Sequence, residues 1–403
     1  MRLYLLALNP TDSVTEGFLP AAARLGLDVT VLTDQPGAHR RSAPDIEVLE
    51  CDVRDFRAVI TRISTHAVFT NSAPDAVFTN SDHLQTQTAL AADYFDLPAK
   101  DWRTALRVKD KAQMRRHLAA SGLDAVWSTE LAAGQDPAGL TALDVPYPSV
   151  VKPREGVASE DVVLVDGPEE LVLRCKEIQT RRPQAALVVE EYLAGDLCSL
   201  ETLGDGQVRH VLGGFRTRLS APPYFIEERS TFVSAHPESV TEQILAQLDA
   251  LGVGFGVCHT EFVVKDDRAR IIEVNYRAIG DQVDLMLARL LDIPLFEHVL
   301  RTHLGEPLPA DLGARTDGVA LVDYPLAQSA GTLTAAPEAA DLTVDGVELT
   351  YRPLRAVGER HALYHTNRDY IGVLRALGRN TDRETVERVA ADYLAAQRWE
   401  ITP

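Results

Sequence analysis

The stretch CHTEFVVKDDRARIIEVNYRAIGD, residues 258–281, reads as two strands turning through Lys265, Asp266, Asp267 and Arg268. Folded about Asp267, the register sets Glu261 opposite Glu273. Successive strand side chains point to opposite faces. Phe262, Val264, Ile272 and Val274 therefore form an apolar core face, and His259, Glu261, Glu273 and Asn275 share the other. Like charges directly opposite on adjacent strands repel, and more strongly once desolvated. A divalent cation between the two carboxylates would turn that repulsion into coordination, with Asn275 adding a neutral oxygen from the same face. Few, hard oxygens with no cysteine among them select magnesium, or manganese, over zinc. Magnesium then completes its shell with water and substrate phosphate. The other reading of the same residues is a solvated sheet face with incidental glutamates.

The rest of the chain bounds what such a site can serve. At 403 residues and 45% hydrophobic content it is long enough for two or three domains, each with its own core. A formal net charge of −19 argues against a broad nucleic-acid footprint, so any polyanion must meet a local basic cluster. Cys51, Cys175, Cys198 and Cys258 show no paired spacing for zinc or for a disulfide framework, which points to reduced thiols in a cytoplasm. The opening MRLYLLALNP has one Arg and a short apolar run broken by polar residues, the pattern of a first strand rather than of a signal peptide or membrane span.

Upstream of the hairpin, LYLLAL, the helix GFLPAAARLGL, DVTVLT, IEVLECD, AVFTNS and the helix DHLQTQTALAADYFDLP alternate as in a parallel, Rossmann-like α/β sheet. No G-x-G-x-x-G follows the first strand, so dinucleotide binding is not expected there. KDKAQMRRHLAASGL is a helix with basic residues toward its start, and YPSVVKP is a buried strand ending in Lys152. The loop REGVASED has small residues and Ser159, which let backbone N–H groups approach phosphate, but Glu160 and Asp161 oppose that charge. ALVVEEYLAG leaves its strand on acid and glycine and exposes backbone groups able to read a base. SLETLGDGQVRHVLGGFRTRLS is a hairpin turning at Asp205 and Gly206, with Arg216 and Arg218 on one face, either a solvated strand edge or a basic pair able to meet an anionic group. GVGFGVC lacks the lysine of a P-loop, and Cys258 and His259, adjacent on a strand, face opposite ways, against a nucleophilic dyad. After about residue 310 the pattern is strand-rich until a closing helix, TDRETVERVAADYLAAQ, where Thr381 and Glu384 have capping-box spacing.

Taken in order, DKAQMRRHLAASGL, VVKP with its small-residue loop, EEYLAG, SLE, HTEF and EVNYR resemble the ATP-grasp superfamily, in particular its carboxylate-amine ligases. The resemblance runs from about residue 100 to 300, and the α/β unit before it looks like the family's N-terminal domain. It implies an α/β grasp fold with an N-terminal Rossmann-like domain over 1–103, a small grasp lobe over 104–193, a large lobe with the metal site over 194–310, and a strand-rich extension over 311–403 closing on the large lobe.

Residue by residue, the resemblance implies that Lys111 and Lys152 hold the ATP phosphates under the loop of Ser159. Glu190 and Leu193 match positions that hydrogen-bond adenine, and Glu201 faces the same cleft. Glu261, Glu273 and Asn275 match the magnesium ligands, Arg277 the arginine that stabilises the reacting phosphoryl and tetrahedral species, and His259 a basic position beside it. Leu197 stands where a ribose-binding acid is frequent, with Asp196 as its substitute, and NYRAIGD without a proline resembles the branch that builds siderophores and related natural products.

ATP and magnesium are thus the implied cofactors. The implied activity is ATP-dependent activation of a small amino or hydroxy acid as an acyl phosphate, then amide formation with an amine. The implied partners are these small molecules, with no nucleic acid or membrane and with a homodimer as one compatible assembly. A carboxylating or purine-pathway enzyme using bicarbonate, and a nucleotide-binding scaffold without turnover, are the alternatives.

Overall fold

Short apolar runs near the N-terminus form a parallel sheet of β1 (Arg2–Leu6), β2 (Asp28–Thr33), β3 (Glu47–Glu50) and β4 (Ala76–Phe78), ordered β3-β2-β1-β4, in a computed structural model that describes residues 1–403. Leu3, Leu5, Val29 and Val31 enter one core, while Tyr4, Leu6 and Leu32 enter another on the opposite face. Burial on both faces is why these strands read as nearly unbroken hydrophobic runs. The hexapeptide AVFTNS occurs twice with two fates. At 67–72 it closes the helix Phe56–Thr70, leaving Val68 and Phe69 84% and 88% exposed, whereas at 76–81 it opens as the buried strand β4.

A second, antiparallel sheet is built from β5 (Ser128–Leu131), β6 (Ser149–Pro153), β7 (Val163–Val165) and β8 (Leu187–Glu191), in the order β5-β8-β6-β7. The helix Pro168–Arg181 packs Leu171, Cys175 and Ile178 against Val151, Leu187 and Val189. The helix Lys111–Ala120 begins at Asp110, whose carboxylate accepts the Gln113 N–H, and it buries Met114 and Leu118 against the large lobe.

The large sheet starts with β9 (Asp196–Asp205), β10 (Arg209–Val211), β11 (Gly214–Leu219), β12 (Glu227–Val233), β13 (Phe255–Lys265) and β14 (Arg268–Asn275). Beyond residue 310 follow β15 (Gly318–Asp323), β16 (Gly331–Ala335), β17 (Ala340–Val344), β18 (Val347–Pro353), β19 (Arg360–His361), β20 (Gly372–Arg379) and β21 (Glu400–Thr402). The strand order β14-β13-β9-β11-β12-β15-β20-β18-β17 shows that four of the late strands prolong the sheet that carries the hairpin, while β16, β19 and β21 form a small sheet apart. The closing helix is Arg383–Ala395, and its cap is Asp382, which accepts the Thr385 N–H. Thr381, the expected cap, instead donates its hydroxyl to the Arg379 carbonyl, which places the helix start one residue later. No helix is long and apolar enough to cross a membrane.

Glu261 does lie opposite Glu273, by a different route from the one the sequence suggests. The turn is the two-residue Asp266-Asp267, both at positive φ (52° and 57°), so Lys265 pairs with Arg268 and the fold axis falls half a residue early. A bulge between Phe262–Ile271 and Glu261–Glu273 leaves Ile272 as an extra residue and restores the register. The bulge also changes the faces. Ile271 and Ala269 join Phe262 and Val274 in the core, and Ile272, expected there, lines the cavity instead.

Candidate active site

A cavity of about 570 Å3 is lined by residues from all three sheet regions, among them Asn80, Lys111, Lys152, Glu190, Glu261, Glu273 and Arg277. The bulged hairpin supplies its acidic wall. Glu273 Oε1 accepts from Lys111 Nζ at 2.7 Å, and Glu261 Oε1 accepts from Asn275 Nδ2 at 3.1 Å and lies 3.3 Å from His259 Nε2. The other carboxylate oxygens of Glu261 and Glu273, and the side-chain Oδ1 of Asn275, make no hydrogen bond within the chain. These three hard oxygens fit a magnesium ion. No group of three or more His, Cys, Asp or Glu is arranged to hold a metal, so an ion here would depend on Asn275, water and phosphate for the rest of its shell.

His259 is fixed from behind. Its Nδ1 is 2.7 Å from Glu201 Oε1, which also accepts from Ser199 Oγ at 2.7 Å. Burial alone would lower the His259 pKa, but charge and hydrogen bonds from Glu201 and then Glu261 outweigh it and raise it to about 10. The two carboxylates thus favour the protonated ring, which can donate a hydrogen bond and offset negative charge. The stability this pair contributes is complete below about pH 6.5 and is lost as pH rises through about 10. Glu201→Gln is expected to bring that pKa down toward 6.5. A histidine NMR titration reads the shift, and an unmoved pKa would reject Glu201 as the cause.

Opposite charges gather on the small-lobe side. Glu190, 3% exposed, is forked by Arg115 (Nε to Oε1 3.0 Å, Nη2 to Oε2 3.1 Å) and is 2.7 Å from Lys152 Nζ. Burial would raise the Glu190 pKa, yet Arg115 and Lys152 hold it down to about 2. Lys111 Nζ also donates to the Gly156 carbonyl at 3.3 Å, which ties it to the loop of Ser159. Arg115 is absent from the residues expected from the sequence, although its spacing of four from Lys111 on one helix puts both on one face.

Ser159 and Leu193 line the cavity, as does Glu190, whose carboxylate is committed to the two cations. Gly195 turns the chain from β8 into β9 at φ +150°, where a Cβ would lie 2.5 Å from a Val263 methyl. The acids of the loop of Ser159 are neutralised from outside it. Glu160 pairs with Arg182 and Arg368, and Asp161 with Arg181 and Arg182 at 2.6 Å each.

Two expectations are corrected. Glu201, 1% exposed, does not line the cleft, because it is covered by His259, which it holds. Arg218 also lies off the cavity, its side chain exposed on β11 and paired with Glu228 at 3.2 Å, and its neighbour Arg216 lies 3.8 Å from Asp196.

Arg277 lines the cavity, and the backbone on both sides of it is held by Lys100 and Asn80. The Tyr276 carbonyl accepts from Lys100 Nζ, and the Ala278 N–H donates to Asn80 Oδ1 at 3.0 Å. Burial lowers the Lys100 pKa to about 7, and Gln85 Oε1 accepts from the same ammonium at 2.8 Å. Neither Asn80 nor Lys100 was expected from sequence. They stand 198 and 176 residues from their partners, and only the tertiary fold joins them.

Residues 145–284 match the family model described as the ATP-grasp domain. A curated relative, "Uncharacterized protein y4rH" of Sinorhizobium fredii (strain NBRC 101917 / NGR234), is 25% identical over 344 residues, covering 83% of this chain and 70% of the relative. Among solved structures, L-amino acid ligase from Bacillus licheniformis superposes with a TM-score of 0.80 at 22% identity, over 100% of this chain and 99% of that one. The biotin carboxylase domain of Hydrogenobacter thermophilus 2-oxoglutarate carboxylase, a dimer in complex with MgADP, ADP and bicarbonate, gives 0.69 at 15% identity, over 100% and 90%. At such identities the likeness is one of fold. The grasp of two sheets around one cleft, the matched residues and these superpositions agree: residues 145–284 match the ATP-grasp domain, and the chain as a whole shares the fold of these solved structures.

Proposed function

We propose that the protein is an ATP-dependent ligase that activates a small carboxylate as its acyl phosphate and joins it to an amine, releasing ADP and phosphate. The observation that carries this reading is the convergence of Lys111, Lys152 and Arg277 on the same cavity as the facing Glu261 and Glu273. Phosphoryl transfer asks mostly for positioning and charge neutralisation, and these groups supply both. Glu261, Glu273 and Asn275 would hold magnesium, which would supply positive charge to offset that of the phosphates. Lys111 and Lys152 bind the triphosphate oxygens, and the loop of Ser159 covers them and excludes water from the acyl phosphate. Arg277 orients the substrate carboxylate toward the γ-phosphate, then, with the His259 cation nearby, steadies the oxyanion formed when the amine attacks. The likeness to L-amino acid ligase supports an amide product, and the proline-free NYRAIGD supports a place in natural-product or siderophore assembly.

Phosphate release with ATP and magnesium across pairs of acids and amines tests the proposal. ADP formation that needs both an acid and an amine is the expected result. ADP release with bicarbonate and no amine would replace the reading with carboxylation, in line with the biotin carboxylase likeness. ATP binding without hydrolysis in any mixture would replace it with a non-catalytic scaffold.

A further inference from the structure

We propose that the part of the cavity bounded by Asp12, Glu227 and Asp281 is a subsite for a basic substrate, one that carries an ammonium or guanidinium group in addition to the amine or carboxylate that reacts. The inference rests on the ligase reading above and specifies its substrate class.

Nine carboxylates line the cavity, and six of them have a cation of the chain at ion-pair distance. Asp12, Glu227 and Asp281 have none. Their partners are neutral: Asn367 Nδ2 donates to Glu227 at 3.2 Å, and Gln282 Nε2 donates to Asp12 at 2.5 Å. Arg277 acts on Asp281 through its charge but makes no ion pair with it, since its Nη1 donates to the Ala278 carbonyl at 2.8 Å. The three acids are close enough to feel one another. Desolvation raises the Asp281 pKa although that residue opens onto the cavity, and Asp12 raises it further. Glu227 is pushed up to about 7 by burial, then by Glu261 and Asp281.

A second observation points independently to a ligand with N–H donors. Gln282 lines the same cavity and is 5% exposed, and with its amide nitrogen given to Asp12 its Oε1 has no partner. A buried acceptor of this kind costs stability until a donor reaches it. An extended organic cation, with several N–H groups spread over ångströms, offers donors to more than one of these acceptors. The single ammonium of a neutral amino acid leaves most of this negative charge uncompensated. A basic amino acid or a diamine does not.

The test is ADP release from ATP and magnesium with matched partners: lysine, leucine and glutamate as acids, 1,4-diaminobutane and butylamine as amines. Basic partners are expected to exceed their neutral counterparts in kcat/KM by about tenfold or more. In Glu227→Gln and in Asp281→Asn that ratio is expected to fall about tenfold. A ratio measured within one variant does not depend on how much of it folds. Equal use of neutral and basic partners by the wild-type protein, or a ratio unchanged in both variants, would overturn the proposal and leave the ligase reading standing. If no pairing releases ADP, the ligase reading fails, and calorimetric binding decides the subsite. Uptake of 1,4-diaminobutane but not butylamine, weakened in Asp281→Asn, supports it, and no uptake overturns it.

Discussion

Glu273→Gln is expected to reduce ADP formation by about a thousandfold or more while the protein stays folded. The substitution keeps the shape and one acceptor oxygen, so Lys111, 4% exposed, retains a hydrogen-bond partner. What is lost is the charge. Glu273 is one of two facing carboxylates, and a neutral amide opposite Glu261 holds a divalent ion poorly and leaves the nucleotide phosphates less well neutralised. Far-ultraviolet circular dichroism checks the fold and coupled ADP detection checks the activity. Turnover at the wild-type rate would detach the hairpin from the chemistry.

The largest stability effect is expected at Arg115. Arg115→Met leaves the buried Glu190 carboxylate with Lys152 as its only cation, and breaking a buried ion pair from one side typically costs about 3–5 kcal/mol. The sign with pH follows from the depressed Glu190 pKa. Stability drawn from this carboxylate is present above about pH 4.5 and is lost as pH falls through about 2, so the deficit of the variant is greatest at neutral pH and shrinks in acid. Urea unfolding midpoints over that range measure it. A deficit unaffected by pH would assign the role of Arg115 to packing or to its bond with the Ile271 carbonyl.

What the sequence could tell depended on how local the physics was. The Glu261–Glu273 pairing was readable because a hairpin is set by its own few residues, yet its turn and its bulge were each misjudged by an amount that cancelled. The position of Ile272 shows the limit, since a bulge is a property of the paired strands and leaves no mark in alternation. Arg115 was readable from helical spacing and was passed over. The cations that neutralise Glu160 and Asp161 were not readable, because one of them, Arg368, lies over two hundred positions away. The same holds for Asn80 and Lys100 beside Arg277, and for Glu227 on β12. The two copies of AVFTNS make the point without any site: identical hexapeptides take different structures because their neighbours in space differ.

The join between β12 and β15 bears on how the protein can be divided. Arg229, Ser230 and Thr231 are sealed by Asp323, Val322 and Leu321. A chain ending near residue 310 would present that rim raw, and unpaired rims recruit foreign strands. It would also surrender Tyr324 and Asn367 from the cavity wall and Arg368, which pairs with Glu160 in the loop of Ser159. The tail is better regarded as the hem of the sheet that carries the cavity than as an appendage, and dissection of this protein into fragments has no natural seam there.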